Sequence, residues 1–220
     1  IIIGTVYLTG VGAKFSSMVI SLSGGIIPLA IILVAVASYV LGMGMTVTSS
    51  YILLAVLAAP ALIQLGIPLL AAHLIIFWLS QDANITPPVC LAAYSAASIA
   101  DASPAKTGWT ALAFAKALYI VPFLMVYSNI LMDGTVVENI VSAVSAFVGI
   151  YLLAAVNQGY YIKSKISIME RILIGVCAFV ILFISPYYFK VIALLVAVVY
   201  TILYAINTKK REDAQRDEAV

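Results

Sequence analysis

The sequence predicts an all-α integral membrane protein, and three observations carry that prediction. Hydrophobic residues fill 65% of the 220 positions, charged residues only 9%, and the mean hydropathy is +1.17, far from the roughly half-apolar make-up of a water-soluble domain. Between Lys14 and Asp82 lie 67 consecutive residues without Asp, Glu, Lys or Arg, whereas about 20 apolar residues suffice for one helix to cross a bilayer. The apolar runs are also interrupted at a few places by Gly, Pro and hydroxyl residues, and those interruptions are where function is to be sought.

Residues 1–20 are moderately apolar and contain Gly4, Gly10, Gly12 and Lys14, which suits a helix end followed by an interfacial segment. Residues 25–43 and 50–65 read as two apolar helices, a hairpin over 25–65 joined by GMGMTVTSS, Gly42 to Ser50. This connector is uncharged and too apolar for an ordinary aqueous loop. Residues 69–100 form one apolar stretch broken at its centre by SQDANITPP, Ser80 to Pro88. Pro87 and Pro88 donate no backbone hydrogen bond and bias the residues before them away from the helical region, so about one turn should unwind. After a short loop, Asp101 to Lys106, a helix is expected over 109–131 with a kink at Pro122, then spans over 138–156, 171–185 and 190–206. The organisation expected is therefore 1–131, 132–206 and a charged tail, 207–220. Because the chain begins at Ile1, without methionine and inside an apolar run, it reads as the C-terminal piece of a longer protein.

The formal net charge is +2, and eight of the charged residues fall in 207–220, leaving no basic surface for nucleic acid. Basic residues flanking spans set orientation. With Lys209–Arg211 cytoplasmic, the loops holding Lys163, Lys165 and Arg171, and that holding Lys106, are cytoplasmic too, while Asp133 and Glu138 fall outside; Lys190 and Lys14 run against the rule. Cys90 and Cys177 sit in apolar runs with no CxxC spacing and read as packing residues. Trp109, Tyr160, Tyr161, Tyr187 and Tyr188 fall near expected membrane borders, where aromatic anchoring explains them.

A backbone group left unpaired in hydrocarbon costs several kcal/mol, so a broken helix at membrane depth persists only where protein, water or an ion satisfies it. Two such breaks within 50 residues are the sequence pointer to a transporter's substrate and coupling-ion sites. In the first, Gly42 and Gly44 permit a tight turn that exposes carbonyls, and Thr46, Thr48, Ser49 and Ser50 add neutral oxygens suited to a hard monovalent cation. Close helix packing through small residues explains the same composition. In the second, Asn84, Thr86 and the carbonyls freed by Pro87 and Pro88 offer another oxygen-lined pocket facing half-helix ends, against which stands a structural proline kink. Asp82, the one acidic residue between Lys14 and Asp101, is a functional candidate because an ionisable group at membrane depth is costly. His73 lies on the same half-helix and suits an interfacial hydrogen bond as well as a proton relay. With one histidine and no GxGxxG, Walker, HExxH or GxSxG pattern, catalysis and nucleotide-driven transport have little to work with.

The segments GMGMTVTSSYILLAVLAAPAL (Gly42–Leu62), AAHLIIFWLSQDANITPPVCLAAYSAASIA (Ala71–Ala100) and PAKTGWTALAFAKALYIVPFLMVY (Pro104–Tyr127) resemble the C-terminal half of the large permease subunit of TRAP transporters, the tripartite ATP-independent periplasmic carriers. The likeness is greatest to the fused permeases of the TAXI subgroup and covers roughly 4–131. Gly42, Gly44, Thr48 and Tyr51 match the subgroup pattern GMGLPTTAAY, while Thr46 stands in place of its proline, Val47 of a threonine, and Ser49 and Ser50 of its alanines. The resemblance implies a re-entrant hairpin plus a discontinuous helix, the second inverted repeat of an elevator-type transporter, followed by extra transmembrane helices. It implies Na+ as the coupling ion and no other cofactor, with Gly42, Thr48, Asn84 and Thr86 as ligands. The implied partners are the lipid bilayer, a periplasmic solute-binding protein, the remainder of the permease with its first repeat, and a small carboxylate substrate. The implied location is the cytoplasmic membrane of a bacterium or archaeon, C-terminus inside. Two rivals stand beside this reading: a proton-coupled carrier using Asp82 and His73, and a non-transporting membrane scaffold in which the small residues only pack helices.

Overall fold

The computed structural model describes residues 2–162, 164–184 and 187–217. Lys163, the end of the expected span at Ser185, and the side chains of Tyr187 and of Lys209–Arg211 lie outside the described residues. The chain divides into two compact units, Ile1–Val126 and Tyr127–Val220.

In the first unit, α1 (Ile2–Thr9) and α2 (Val11–Ser23) precede α3 (Ile27–Gly42), which opens with a proline in its first turn, where the missing N–H is no loss. Its buried residues, Ala30, Ile31, Val34, Ser38 and Gly42, recur every three or four positions and form one face. The chain turns at Met43–Met45, closed by Met45 N–H donating to the Gly42 carbonyl at 3.1 Å, with Gly44 at φ +72°, a conformation that costs glycine nothing. The next helix, α4 (Val47–Leu57), begins three residues earlier than the sequence pattern indicates. Thr46 explains the shift: as N-cap its Oγ1 accepts from Ser49 N–H.

The expected helix 50–65 is not continuous. It breaks at Ala58 into α4 and α5 (Ala59–Gln64), because Pro60 offers no N–H to the Val56 carbonyl and its ring would clash there. Ala61 N–H turns to the Ala58 carbonyl instead, which releases the Leu57 carbonyl. Buried Ser16 of α2, 41 residues upstream, closes it with a 2.9 Å hydrogen bond. Ser16→Ala should therefore lower the stability of the permease by about 1–2 kcal/mol, read by thermal unfolding. Ser17→Ala, whose hydroxyl bonds only within α2, should leave it unchanged; equal effects would refute this account of the elbow.

The stretch 69–100 breaks where expected, into α6 (Leu69–Asp82) and α7 (Leu91–Ile99). The α6 helix packs against α3, α4 and α5 through Ala71, Ala72, Ile75, Ile76 and Leu79. Where one helix is expected over 109–131, the structure has α8 (Pro104–Ala115), a 3-10 turn (Leu118–Ile120) and α9 (Val121–Tyr127), bent by 51°. The bend falls before Pro122 rather than at it, since proline fits the first turn of α9 without kinking it. Trp78 of α6 donates through Nε1 to the Leu118 carbonyl at 3.0 Å, holding the turn.

The second unit begins with a 3-10 turn (Asn129–Leu131) and then holds α10 (Val136–Gln158), a two-stranded ribbon of β1 (Tyr160–Tyr161) and β2 (Ser164–Lys165), α11 (Ile168–Phe183) and α12 (Tyr187–Asp217). Capping boxes start α10 (Thr135 with Glu138) and α11 (Ser167 with Glu170). Arg171 donates to the Val156 and Asn157 carbonyls, completing the C-terminal end of α10. Trp109, Tyr160 and Tyr188 are exposed, but Tyr161, expected as an anchor, is buried. Strand alternation turns it inward, where it is 1% exposed, bonds Thr201 Oγ1 and stacks among Tyr151, Tyr200 and Tyr204. Cys90 is buried and Cys177 half-buried, both free thiols. Lys190 is also buried, and where the sequence predicts a charged tail the backbone of α12 stays helical to Asp217.

Among the described residues, one helix, Val136–Gln158, is by itself long and apolar enough to cross a membrane, and the bent pair α8–α9 passes together. Large apolar side chains cover the outside of both units, among them Leu69, Phe114, Phe147, Phe179 and Leu195, a surface matched to lipid rather than water.

Candidate functional site: two helix breaks in contact

The two breaks meet. Gly42, the last residue of α3, lies so close to the second break that a Cβ added there would stand 2.9 Å from the Ala83 methyl and 3.0 Å from Ser50 Oγ. The end of α3, the first turn of α4 and the end of α6 thus converge on one small spot. Ser38 and Gly42 on α3, Ser50 on α4, and Ser80, Asp82 and Ala83 at the end of α6 are all buried.

Polar satisfaction there is incomplete. Ser38 and Ser80 hydroxyls donate to carbonyls one turn back in their own helices, whereas Ser50 Oγ and Asp82 Oδ2, both buried, have no hydrogen-bond partner among the described residues. Asp82 is 3% exposed. An unpaired carboxylate in such surroundings is among the most expensive groups a protein can hold.

The second break is ordered from within. Ile85 N–H and Thr86 Oγ1 both donate to the Asp82 carbonyl, at 3.1 and 2.6 Å, and Ala92 N–H reaches across to the Asn84 carbonyl at 3.2 Å. With its proton committed to that carbonyl, Thr86 accepts from Tyr119, whose hydroxyl lies 2.9 Å away on the 3-10 turn. Tyr119 meets Tyr39 edge to face, ring centroids 6.0 Å apart. The peptide between Pro87 and Pro88 is cis, and the Pro88 carbonyl accepts from Tyr94 at 2.6 Å.

Of the residues singled out from sequence, Gly42, Ser50 and Asp82 fall at this convergence, and Asn84, Thr86 and Pro87 are half-buried just beyond it. Gly44, Thr46, Thr48 and Ser49 are exposed at the tip, and Pro88 is exposed on the far side of the break. Thr46 and Ser49 bond each other at 2.9 Å. His73 bonds Tyr51 at 3.1 Å; nine residues before Asp82, it stands about 13 Å away along the axis. Sequence reasoning missed Tyr39 and Ala83, one turn before Gly42 and one residue after Asp82, whose proximity to known candidates was the available signal. Tyr119, 33 residues beyond Thr86, carried none.

Interrupted apolar helices whose breaks meet inside a helical bundle are the construction of secondary membrane transporters. The chain matches the family model described as tripartite ATP-independent periplasmic transporter, DctM component, over residues 1–120, more than half its length. It belongs to that family, the large permeases of TRAP transporters. The family places it in the bacterial inner membrane as an integral component of a transport system that works with a periplasmic binding protein; it is a transporter family, not an enzyme family. Comparison with curated proteins and with solved structures gave no significant match.

Proposed function

We propose that this chain supplies the second hairpin and discontinuous helix of a sodium-coupled permease of the TAXI type. The permease imports a small organic acid handed over by a periplasmic binding protein. The observation that carries the proposal is the contact of Gly42 with Ala83 and Ser50, which brings both helix breaks to one place where buried oxygens stand without partners. The helices of the hairpin, 16 residues in α3 and 11 in α4, are each shorter than the roughly 20 residues a crossing needs, which supports a re-entrant path that enters and leaves on the outer side. Residues 1–131 then form the repeat that moves as an elevator against a scaffold, 132–206 add peripheral spans, and 207–220 form a cytoplasmic tail. Sodium bound among Gly42, Thr48, Asn84 and Thr86 orders the tip, and the ion gradient drives the loaded domain across.

The test is thermal unfolding of the complete permease in sodium, potassium and choline buffers of equal ionic strength. Saturable stabilisation by sodium alone is expected, reaching about 2.7 kcal/mol at a hundredfold excess over its dissociation constant, and reduced by Thr48→Ala and Thr86→Ala. No sodium-specific shift would favour the proton-coupled or the scaffold reading. A direct relay between Asp82 and His73 gains no support from their separation along α6 and the Tyr51 bond of His73.

A further inference from the structure

We infer that the N-terminal end of α11 holds a phosphoethanolamine lipid, its two acyl chains lying in the clefts on either side of that helix. The inference concerns the second unit alone and is independent of what the two breaks bind.

The clefts come first. One, of about 610 Å³, runs between α11 and α12 and is walled by Met169, Leu173, Tyr200 and Tyr204, with Glu170 at its polar end. The other, of about 490 Å³, runs between α10 and α11 past Val156, Ile168, Gly175 and Phe179, with Arg171 at its polar end. Ile172 and Val176 belong to both, so one ridge of α11 is the wall between them. Gly175 keeps the second cleft open, since a Cβ there would meet only the Val156 methyls, at 3.9 Å. From Ile168 to Phe179 the helix rises roughly 16 Å, half of a hydrocarbon core of ~30 Å. The longer cleft therefore has the depth of a single leaflet, and the pair has the form of a lipid with two chains.

Charge then says which lipid. Glu170 and Arg171 stand side by side in the first turn of α11, one at the mouth of each cleft. Both are held in place. Ser167 N–H donates to Glu170 Oε2 at 2.7 Å, which leaves Oε1 for a ligand. Arg171 gives Nε and Nη2 to the Val156 and Asn157 carbonyls, which fixes the guanidinium and leaves Nη1. Lys165, exposed on β2, adds a cation at the same end. A phosphodiester suits the guanidinium, and a primary ammonium a short link away suits the neighbouring carboxylate. Phosphoethanolamine carries both. A phosphocholine headgroup has no N–H to donate to Glu170, and a phosphoglycerol headgroup has no cation to offer it.

The test adds dioleoyl phosphatidylethanolamine, phosphatidylcholine or phosphatidylglycerol in turn to the delipidated complete permease in detergent. Native mass spectrometry reads the bound lipid and thermal unfolding reads the stability. The expected result is saturable binding with phosphatidylethanolamine preferred, and a rise in unfolding temperature that follows it. Glu170→Gln keeps the capping box, since glutamine serves at that position as glutamate does, so its lipid-free stability should match the wild type. It should nonetheless lose the preference, binding phosphatidylethanolamine up to about fivefold more weakly, the worth of one solvent-accessible ion pair. Gly175→Leu, which fills the second cleft and leaves both charges in place, should weaken all three lipids. A preference for phosphatidylethanolamine that survives both substitutions puts the lipid elsewhere on the protein and overturns the inference. Equal binding of the three lipids by the wild type overturns it too, and leaves the clefts to a protein helix.

Discussion

Gly42→Ala destabilises the complete permease by about 1–3 kcal/mol, the cost of overfilling a packed interior, and strongly reduces uptake; this is the expected result of putting one methyl into the seam between the helix breaks. The added carbon would stand 2.9 Å from the Ala83 Cβ, an atom fixed to the backbone that cannot rotate aside. The break around Ala83 would therefore have to move, and with it the Asp82 and Asn84 carbonyls that close it. Exchanging the methyl across the seam, Gly42→Ala with Ala83→Gly, should recover most of the lost stability, a coupling that a double-mutant cycle measures. If Gly42→Ala melts with the wild type, or if the exchange restores nothing, the two breaks are not in contact as described.

The second large effect belongs to the C-terminal unit. A Cβ on Gly149 would lie 2.5 Å from both Cγ and Cδ2 of Leu182, and Leu182 is 1% exposed. Because Cγ itself is struck, rotating the terminal methyls does not relieve the clash, and α10 and α11 must separate. Gly149→Val is expected to cost about 1–3 kcal/mol or more, with partial recovery on adding Leu182→Ala. Sodium-specific stabilisation should survive in whatever fraction still folds, since the substituted residue lies in a different unit from the breaks. Loss of the sodium effect in well-folded Gly149→Val would tie the C-terminal helices to ion binding and refute that separation.

What could be read from the sequence was whatever a residue type enforces locally. The Gly42–Ser50 connector and the break before Pro87 and Pro88 announce themselves, because glycine and tandem proline have few other uses inside an apolar run, and α6 and α7 end close to where that logic puts them. The elbow at Ala58 follows from Pro60 by the same rule, yet the apolar run on both sides of that proline makes 50–65 look like one continuous helix. Thr46 carries an oxygen that suits an ion ligand and an N-cap alike, and the structure shows it as the N-cap that bonds Ser49. Least legible was the neighbourhood of Asp82. Its burial, and the approach of Tyr39 and Tyr119, depend on how α3, α6 and the 3-10 turn pack, and no spacing along the chain encodes that. Tyr161 failed for a related reason: its position near a membrane border suggested an anchor, and only the two-residue strand that turns it inward reveals a core residue.

The hydrogen bond from Ser16 to the Leu57 carbonyl also bears on how the protein is made. Chains are synthesised from the N-terminus, so Ser16 has left the ribosome long before Leu57 emerges. The α4–α5 elbow cannot complete its own backbone pairing, and in hydrocarbon it has no water to borrow. The carbonyl that Pro60 sets free is closed by a helix made earlier, so the order of biosynthesis has the partner in place before the elbow that needs it.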